Sequence, residues 1–342
     1  MNKKYQFLSY VFYTAISIAI LKVVVGLYFV EKGRDIFKDE AWLRYVYFVK
    51  EHLAREQLKA PDSKIIIVAG SGSLFGVDNS ILSQITRRPV INMATHAGLS
   101  FDYHMGKVIP YVNKSDIVVM PLEFTYYSED LRKSKWMCLN MLSWDKGYVR
   151  KMPFTRKVLW IWWSPEAFLR NQIRSYRKTK KFKLLTEDQI ISEWKDAVSS
   201  REAKTSEYGF KLLRADGTFQ PPEISTFKGM PSYIFTISQK NINEISFYKK
   251  MIEAKGAQVI LTCPAFIDVE KISEGDKCMQ VKLQDLKRVL AENGLVLHGN
   301  YADVCYPRAS FADTEYHLTT TGQRSWSATL GRIIIEATGT SK

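Results

Sequence analysis

Cysteine is scarce and unpatterned: four occur in 342 residues, at Cys138, Cys263, Cys278 and Cys305, with no C-x-x-C spacing. That excludes the common zinc and dithiol motifs and permits disulfides without requiring them. Cys263 closes an apolar run and reads as a small core residue. Histidine is sparse too, and its five residues show no H-E-x-x-H spacing, so no metal is expected. A phosphate loop is missing as well, because Gly70-Ser71-Gly72 is too short and no lysine-hydroxyl pair follows it. No zinc-finger, basic-zipper or RNA-recognition signature accompanies the formal charge of +14. No nucleic-acid partner is therefore expected, and the basic surface suits anionic lipid or an acidic polymer instead. No cofactor is expected either.

What the chain does have, at its amino end, is a long apolar run from Tyr5 to Val30 broken only by Lys22. Such a run can cross a bilayer with some tilt. A cleavable signal peptide is the rival, but the run resumes as Val23-Val24-Val25-Gly26-Leu27 with no small-residue cleavage site, so residues 1–32 read as an uncleaved anchor. Lys22 near mid-membrane costs about 2.5–3.5 kcal/mol unless it snorkels or meets a partner, for which a second membrane protein is one source. Lys3 and Lys4 favour an inside amino terminus, although Lys32, Arg34 and Lys38 follow the span. Residues 33–60 carry Trp42, Leu43, Val46, Tyr47, Val49 and Leu53 at helical spacing, an amphipathic helix stopped by Pro61-Asp62.

From there strands and helices alternate. Lys64 to Ala69 is a β-branched strand, followed by strands at Pro89 to Met93 and Ser115 to Pro121, with helices between them. The rhythm resumes with a helix at Gln239 to Ala254, a strand at Ala257 to Cys263, a helix at Met279 to Glu292, a strand at Gly294 to His298 and a helix from Thr320 to Ala337. This predicts an α/β fold, a three-layer doubly wound sandwich with a mainly parallel central sheet. The domain occupies residues 61–130 and 230–342. The stretch 131–229 reads as a largely helical insertion with Trp160, Trp162 and Trp163, then a basic tract of Arg170, Arg174, Arg177, Lys178, Lys180, Lys181 and Lys183. A tryptophan cluster beside a positive helix suits a membrane surface or an anionic ligand, and equally a helix with one packed end and a solvated face.

Two stretches carry candidate chemistry. Ile65 to Asp78, IIIVAGSGSLFGVD, places a serine on a glycine turn at the carboxyl edge of a strand, where open α/β sheets bind ligands. The same pattern also serves as a plain strand-to-helix turn with serine caps. Near the carboxyl end, Asp313-Thr314-Glu315-Tyr316-His317 sets acids and a histidine before the last helix, an order that a nucleophile, a base and an orienting group can take.

With Ala69 to Asp78, Asn92 to Gly98 and Asp313 to His317 as its blocks, the chain resembles the SGNH/GDSL hydrolase superfamily. The membrane-anchored branches are the nearest in pattern, among them alginate O-acetyltransferase components and D-alanyl transfer proteins. The resemblance implies Ser71 as nucleophile, His317 as general base, Asp313 as its orienting acid, and the N–H groups of Ser71 and Gly98 as the oxyanion hole. Ser73 is the competing nucleophile. The sequence departs from the pattern twice: the acid stands four residues before the histidine instead of three, with Glu315 as a second candidate, and Glu123 stands where a glycine-asparagine pair is expected. An ionised Glu123 cannot donate to an oxyanion. His96 and His104 flank the glycine block as possible auxiliary groups, and His52 and His298 have no visible role.

The resemblance implies a membrane-tethered serine acyltransferase or esterase acting on O-acyl groups of an envelope or exported polysaccharide, with the domain outside the cytoplasm and a membrane-bound acyltransferase as partner. The contrasting expectation is a non-catalytic envelope assembly protein that binds through its basic insertion.

Overall fold

The computed structural model describes residues 3–32, 41–58, 63–175, 185–200, 209–229, 231, 236–267 and 277–339. In chain order its elements are α1 (Lys3–Lys32), α2 (Ala41–Gln57), β1 (Ile65–Ile67), α3 (Ser71–Gly76), α4 (Asn79–Thr86), β2 (Val90–Asn92), α5 (Phe101–Val108), β3 (Ile117–Pro121) and α6 (Thr125–Ser128). Four helices follow: α7 (Lys135–Trp144), α8 (Lys146–Lys151), α9 (Phe154–Ser175) and α10 (Glu187–Ser200). The remainder comprises α11 (Gln239–Glu253), β4 (Gln258–Thr262), β5 (Phe266–Ile267), α12 (Lys277–Glu292), β6 (Leu297–His298), α13 (Tyr301–Val304), β7 (Cys305–Tyr306) and α14 (Thr320–Thr338). The chain forms two compact units, Met1–Arg44 with Arg132–Leu184, and Tyr45–Leu131 with Leu185–Lys342.

The second unit is an α/β domain whose five-stranded sheet has the order β2-β1-β3-β4-β6, with every pairing parallel. Strands β1 and β3 are apolar without alternation and buried at each position. Lys64 and Asp116 fix their entry: the Lys64 amide donates to Asp116 Oδ1 at 3.0 Å and its Nζ to Oδ2 at 2.6 Å, both side chains being almost fully buried. The chain leaves β1 toward β2 on one side and returns toward β3 on the other. The crevice at the carboxyl ends of β1 and β3 is therefore the switch point where such sheets bind ligands. Helix α14 packs on α3 and α4, α11 on α5, α6 and β4, and α12 on β6. A small parallel pair, β5 with β7, lies outside the sequence expectation.

The stretch expected as one insertion, 131–229, divides between the units at Leu184. Its later part belongs to the α/β domain through specific bonds: Asn79 N donates to Thr218 Oγ1 at 2.9 Å, Arg214 Nη2 to Asp78 Oδ2 at 2.6 Å, and Thr226 N to Ala312 O.

In the first unit α1 packs on α9, and α9 on α7. α1 is long and apolar enough from Lys3 to Tyr28 to cross a membrane. Its glycine is required by packing, since a Cβ at Gly26 would stand 2.1 Å from the Ile161 carbonyl oxygen. Lys22, the charge inside the apolar run, finds its partner within the chain: its Nζ donates to Glu166 Oε1 at 3.0 Å and lies 4.1 Å from the Trp162 ring centroid. Lys135 takes the other oxygen at 2.7 Å, and the two ammonium groups, Lys135 foremost, hold the Glu166 carboxyl at about 2. Of the tryptophan cluster, Trp160 is core and donates to Arg132 O. Residues 176–184 of the basic tract lie outside the described residues, as do the side chains of Arg170 and Arg174, and so do Pro61 and Asp62.

Candidate functional site

The Gly70-Ser71-Gly72 turn follows β1 directly and opens α3 with Ser71 as its first residue. A Cβ at Gly70 would lie 2.6 Å from Ala97 Cα, so the close approach of the loop after β2 demands glycine there. Gly70 has no side chain to cap the helix, and Glu123, at the end of β3, supplies the acceptors instead. Gly70 N–H donates to its Oε2 at 3.0 Å and Gly72 N–H to its Oε1 at 2.7 Å. Glu123 is 1% exposed, and burial pushes its carboxyl above the usual range. Among the described residues, the Ser71 hydroxyl and N–H form no hydrogen bond, and Ser71 is partly exposed. Ser73, the competing nucleophile, is fully buried with an unpaired hydroxyl.

The acid-histidine loop is closed by the bridge of Phe311 with Leu318, both buried, and by Ala312 N–H donating to His317 O at 2.7 Å. Inside it, Thr314 Oγ1 accepts from the amides of Tyr316 and His317, which builds the turn that sets Asp313 one helical turn before His317. His317 Nδ1 pairs with Asp313 Oδ1 at 2.9 Å. Thus Asp313, not Glu315, is the carboxylate on Nδ1. In the neutral ring this fixes Nδ1–H and leaves Nε2 as the basic nitrogen. The imidazole stacks on Phe75 with centroids 4.1 Å apart, and Phe75 lies one turn beyond Ser71 on the same face of α3. Phe219, from the segment after α10, packs on the same Phe75 at 4.7 Å, and Gln323 on α14 ties Phe75 O to Phe219 O.

The loop after β2 brings a second imidazole. His96 Nδ1 accepts from Gly98 N–H at 2.9 Å, so Gly98 is engaged within its own loop. Burial, together with the neighbouring His317, lowers His96 to about 4. It is neutral, with its proton on Nε2. His104 is part of a buried chain instead: Thr95 Oγ1 donates to Tyr47 OH, Tyr47 OH pairs with His104 Nδ1 at 2.9 Å, and His104 Nε2 with Tyr126 OH at 2.9 Å. Burial drives it down to about 3. That role is structural. His298 and His52 lie apart from this cluster, the first on β6 and the second on α2 against Trp194.

The site thus gathers Ser71, Glu123, His96, His317 and Asp313 at one sheet edge. It can present a hydroxyl, an oriented imidazole and a buried carboxyl to one bound group. Among the described residues no cluster of histidine, cysteine and carboxylates suits a metal ion. Phe75 and Phe219 carried no sequence signal beyond being apolar. The capping role of Glu123 had one, since a helix opened by glycine needs an acceptor from elsewhere. No protein-family model matches this chain, and no curated protein is significantly similar to it.

Proposed function

We propose that this chain is a membrane-tethered serine acyltransferase or esterase of SGNH type, acting on O-acyl groups, acetyl foremost, of an envelope or exported polysaccharide. The observation that carries the reading is the His317–Asp313 pair, stacked on the helix that opens at Ser71. Ser71 Oγ attacks the acyl carbon, His317 Nε2 takes its proton, and Asp313 holds the ring and stabilises the imidazolium. Water or a sugar hydroxyl then receives the acyl group. The helix groups of α3, α4 and α14 and of α5, α6 and α11 support a three-layer arrangement of this type.

In this reading α1 anchors the chain with its amino end inside and the α/β domain outside. At 1.5 Å per residue, Lys22 stands about 28 Å from Lys3, close to the ~30 Å of the hydrocarbon. Lys22 then lies at the far interface, where Glu166 and Lys135 can meet it. A membrane-bound acyltransferase is the partner that would supply acyl groups across the bilayer.

A fluorophosphonate probe tests the proposal: labelling of the wild-type chain that is lost in Ser71→Ala and kept in Ser73→Ala is expected. One observation favours a non-catalytic assembly protein, namely that the N–H groups of Gly70, Gly72 and Gly98 are all engaged within the chain. Complete inertness to the probe would select that reading.

A further inference from the structure

Among the described residues of the α/β domain three carboxylates are nearly fully buried, and two have a cation. Asp116 pairs with Lys64 and Asp78 with Arg214, each at 2.6 Å. Glu123 differs: among the described residues no lysine or arginine meets it, and its carboxylate oxygens accept from the Gly70 and Gly72 amides. Removing an unpaired carboxylate from water is costly, and two amide donors offset only part of that. Burial accordingly raises its carboxyl. The groups around it include the Gly70 and Gly72 amides, His317 from the acid-histidine loop, with His96 behind it, and Tyr126 and Tyr127 on α6. None of these is a permanent cation.

Position adds the second half. Glu123 grips the amides on either side of Ser71, so its carboxyl sits at the end of α3 where the Ser71 N–H emerges. An ionised carboxylate there repels a developing oxyanion. A neutral one still accepts both amides, the shorter Gly72 contact at its carbonyl oxygen Oε1, and keeps one O–H on Oε2 to donate. Resting on Ser71 as the nucleophile, we propose that Glu123 acts in its neutral form, its O–H joining the Ser71 N–H as donor to the oxyanion. As Ser71 Oγ bonds to the acyl carbon, the carbonyl pair moves to oxygen and the serine proton to His317 Nε2. The Glu123 proton is shared and not transferred. On collapse the carbonyl reforms, the C–O bond to the alcohol breaks, and the alcohol leaves with the proton from His317.

The test uses the full chain in detergent, p-nitrophenyl acetate as substrate, and infrared difference spectra of wild type against Glu123→Gln. The expected spectrum at neutral pH contains the carbonyl stretch of a neutral carboxyl group. Glu123→Gln keeps a donor, although its NH2 cannot accept from Gly70 N–H as Oε2 does, and should keep at least about tenfold more kcat than Glu123→Ala, which should lose about 100- to 1,000-fold with little change in KM. Wild-type turnover should fall as pH rises through the raised Glu123 value, and this fall should vanish in Glu123→Gln. An ionised carboxylate band alongside turnover overturns the donor role alone, as does a Glu123→Gln variant as slow as Glu123→Ala. A neutral band with no wild-type turnover overturns the nucleophile reading, and the donor role with it.

Discussion

Replacing Asp313 by alanine separates what orients His317 from what merely surrounds it. Contacts that hold His317 include Asp313 on Nδ1, Thr314 Oγ1 on its backbone amide, Ala312 N–H on its carbonyl and Phe75 beneath the ring. Asp313→Ala removes only the first. The Asp313 side chain is 35% exposed and that of His317 15%, so the pair lies in a partly wet setting. There, a charge about 4 Å from the imidazolium of the proposed reaction is worth roughly 1–4 kcal/mol. With the ring position retained, a loss near 2 kcal/mol is expected, about 30-fold in kcat. That is well short of the ~10,000-fold known where a buried aspartate alone fixes the tautomer. Turnover of p-nitrophenyl acetate measures it, and nitrogen chemical shifts of His317 report the tautomer independently of turnover. The expected outcome is a mixed tautomer in Asp313→Ala and a wild-type Nδ1–H form in Glu315→Gln. Equal losses in the two variants, or a loss confined to Glu315→Gln, would refute the assignment of Asp313 as the orienting acid.

Breaking the buried Lys64–Asp116 pair with Lys64→Met should cost about 3–5 kcal/mol in denaturant unfolding, because Asp116 is left charged and uncompensated. Gly70→Ala forces the turn away from Ala97 and should cost about 1–3 kcal/mol, with a melting temperature below that of Gly106→Ala, where the added methyl meets nothing. His104 and His96 are held below their unfolded values, so the unfolded chain binds protons first and stability falls as pH drops from about 6.5 toward 4. His104→Gln should flatten that acid slope in thermal melts. In the first unit, Gly26→Leu should lower the melting temperature of the full chain in detergent, since leucine cannot fit against the Ile161 carbonyl.

The sheet was legible because its strands carry their signal locally. Ile65-Ile66-Ile67 and Ile117-Val118-Val119 are β-branched runs with no alternation, and Gly70 and Pro121 mark their ends. The acid-histidine geometry was legible only in part. A spacing of four places Asp313 on the same side as His317, but only the folded turn shows Thr314 capping the amides and Glu315 not on Nδ1. The division of 131–229 could not be read at all. It depends on Arg214 reaching Asp78 across 136 residues and on Phe219 finding Phe75, contacts that leave no periodicity in the sequence. Likewise β5 and β7 are two residues each, too short for any pattern to announce them.

Many buried polar side chains of the domain are matched: His104 lies between two tyrosines, Asn241 donates to the carbonyls of Tyr126 and Glu129, and Ser327 serves Asp78 and Gln323, while Gln57 Oε1, Asn79 Oδ1 and Arg214 Nε lack a hydrogen-bond partner. At the carboxyl edge of β1 and β3 the matching fails repeatedly. Ser73 keeps an unpaired hydroxyl on α3, Tyr127 another on α6, and between them Glu123 is buried without a cation. A glycine pair replaces a capping residue in the same turn, and the imidazoles of His96 and His317 are close enough to influence each other. A scaffold gains nothing from such a concentration, since each of these features lowers stability where an apolar residue or an ordinary cap would raise it. Local inconsistency of this kind collects where a chain works on something other than itself. That is the physical ground for treating the Ser71 turn as a site and not as a strand-to-helix connection.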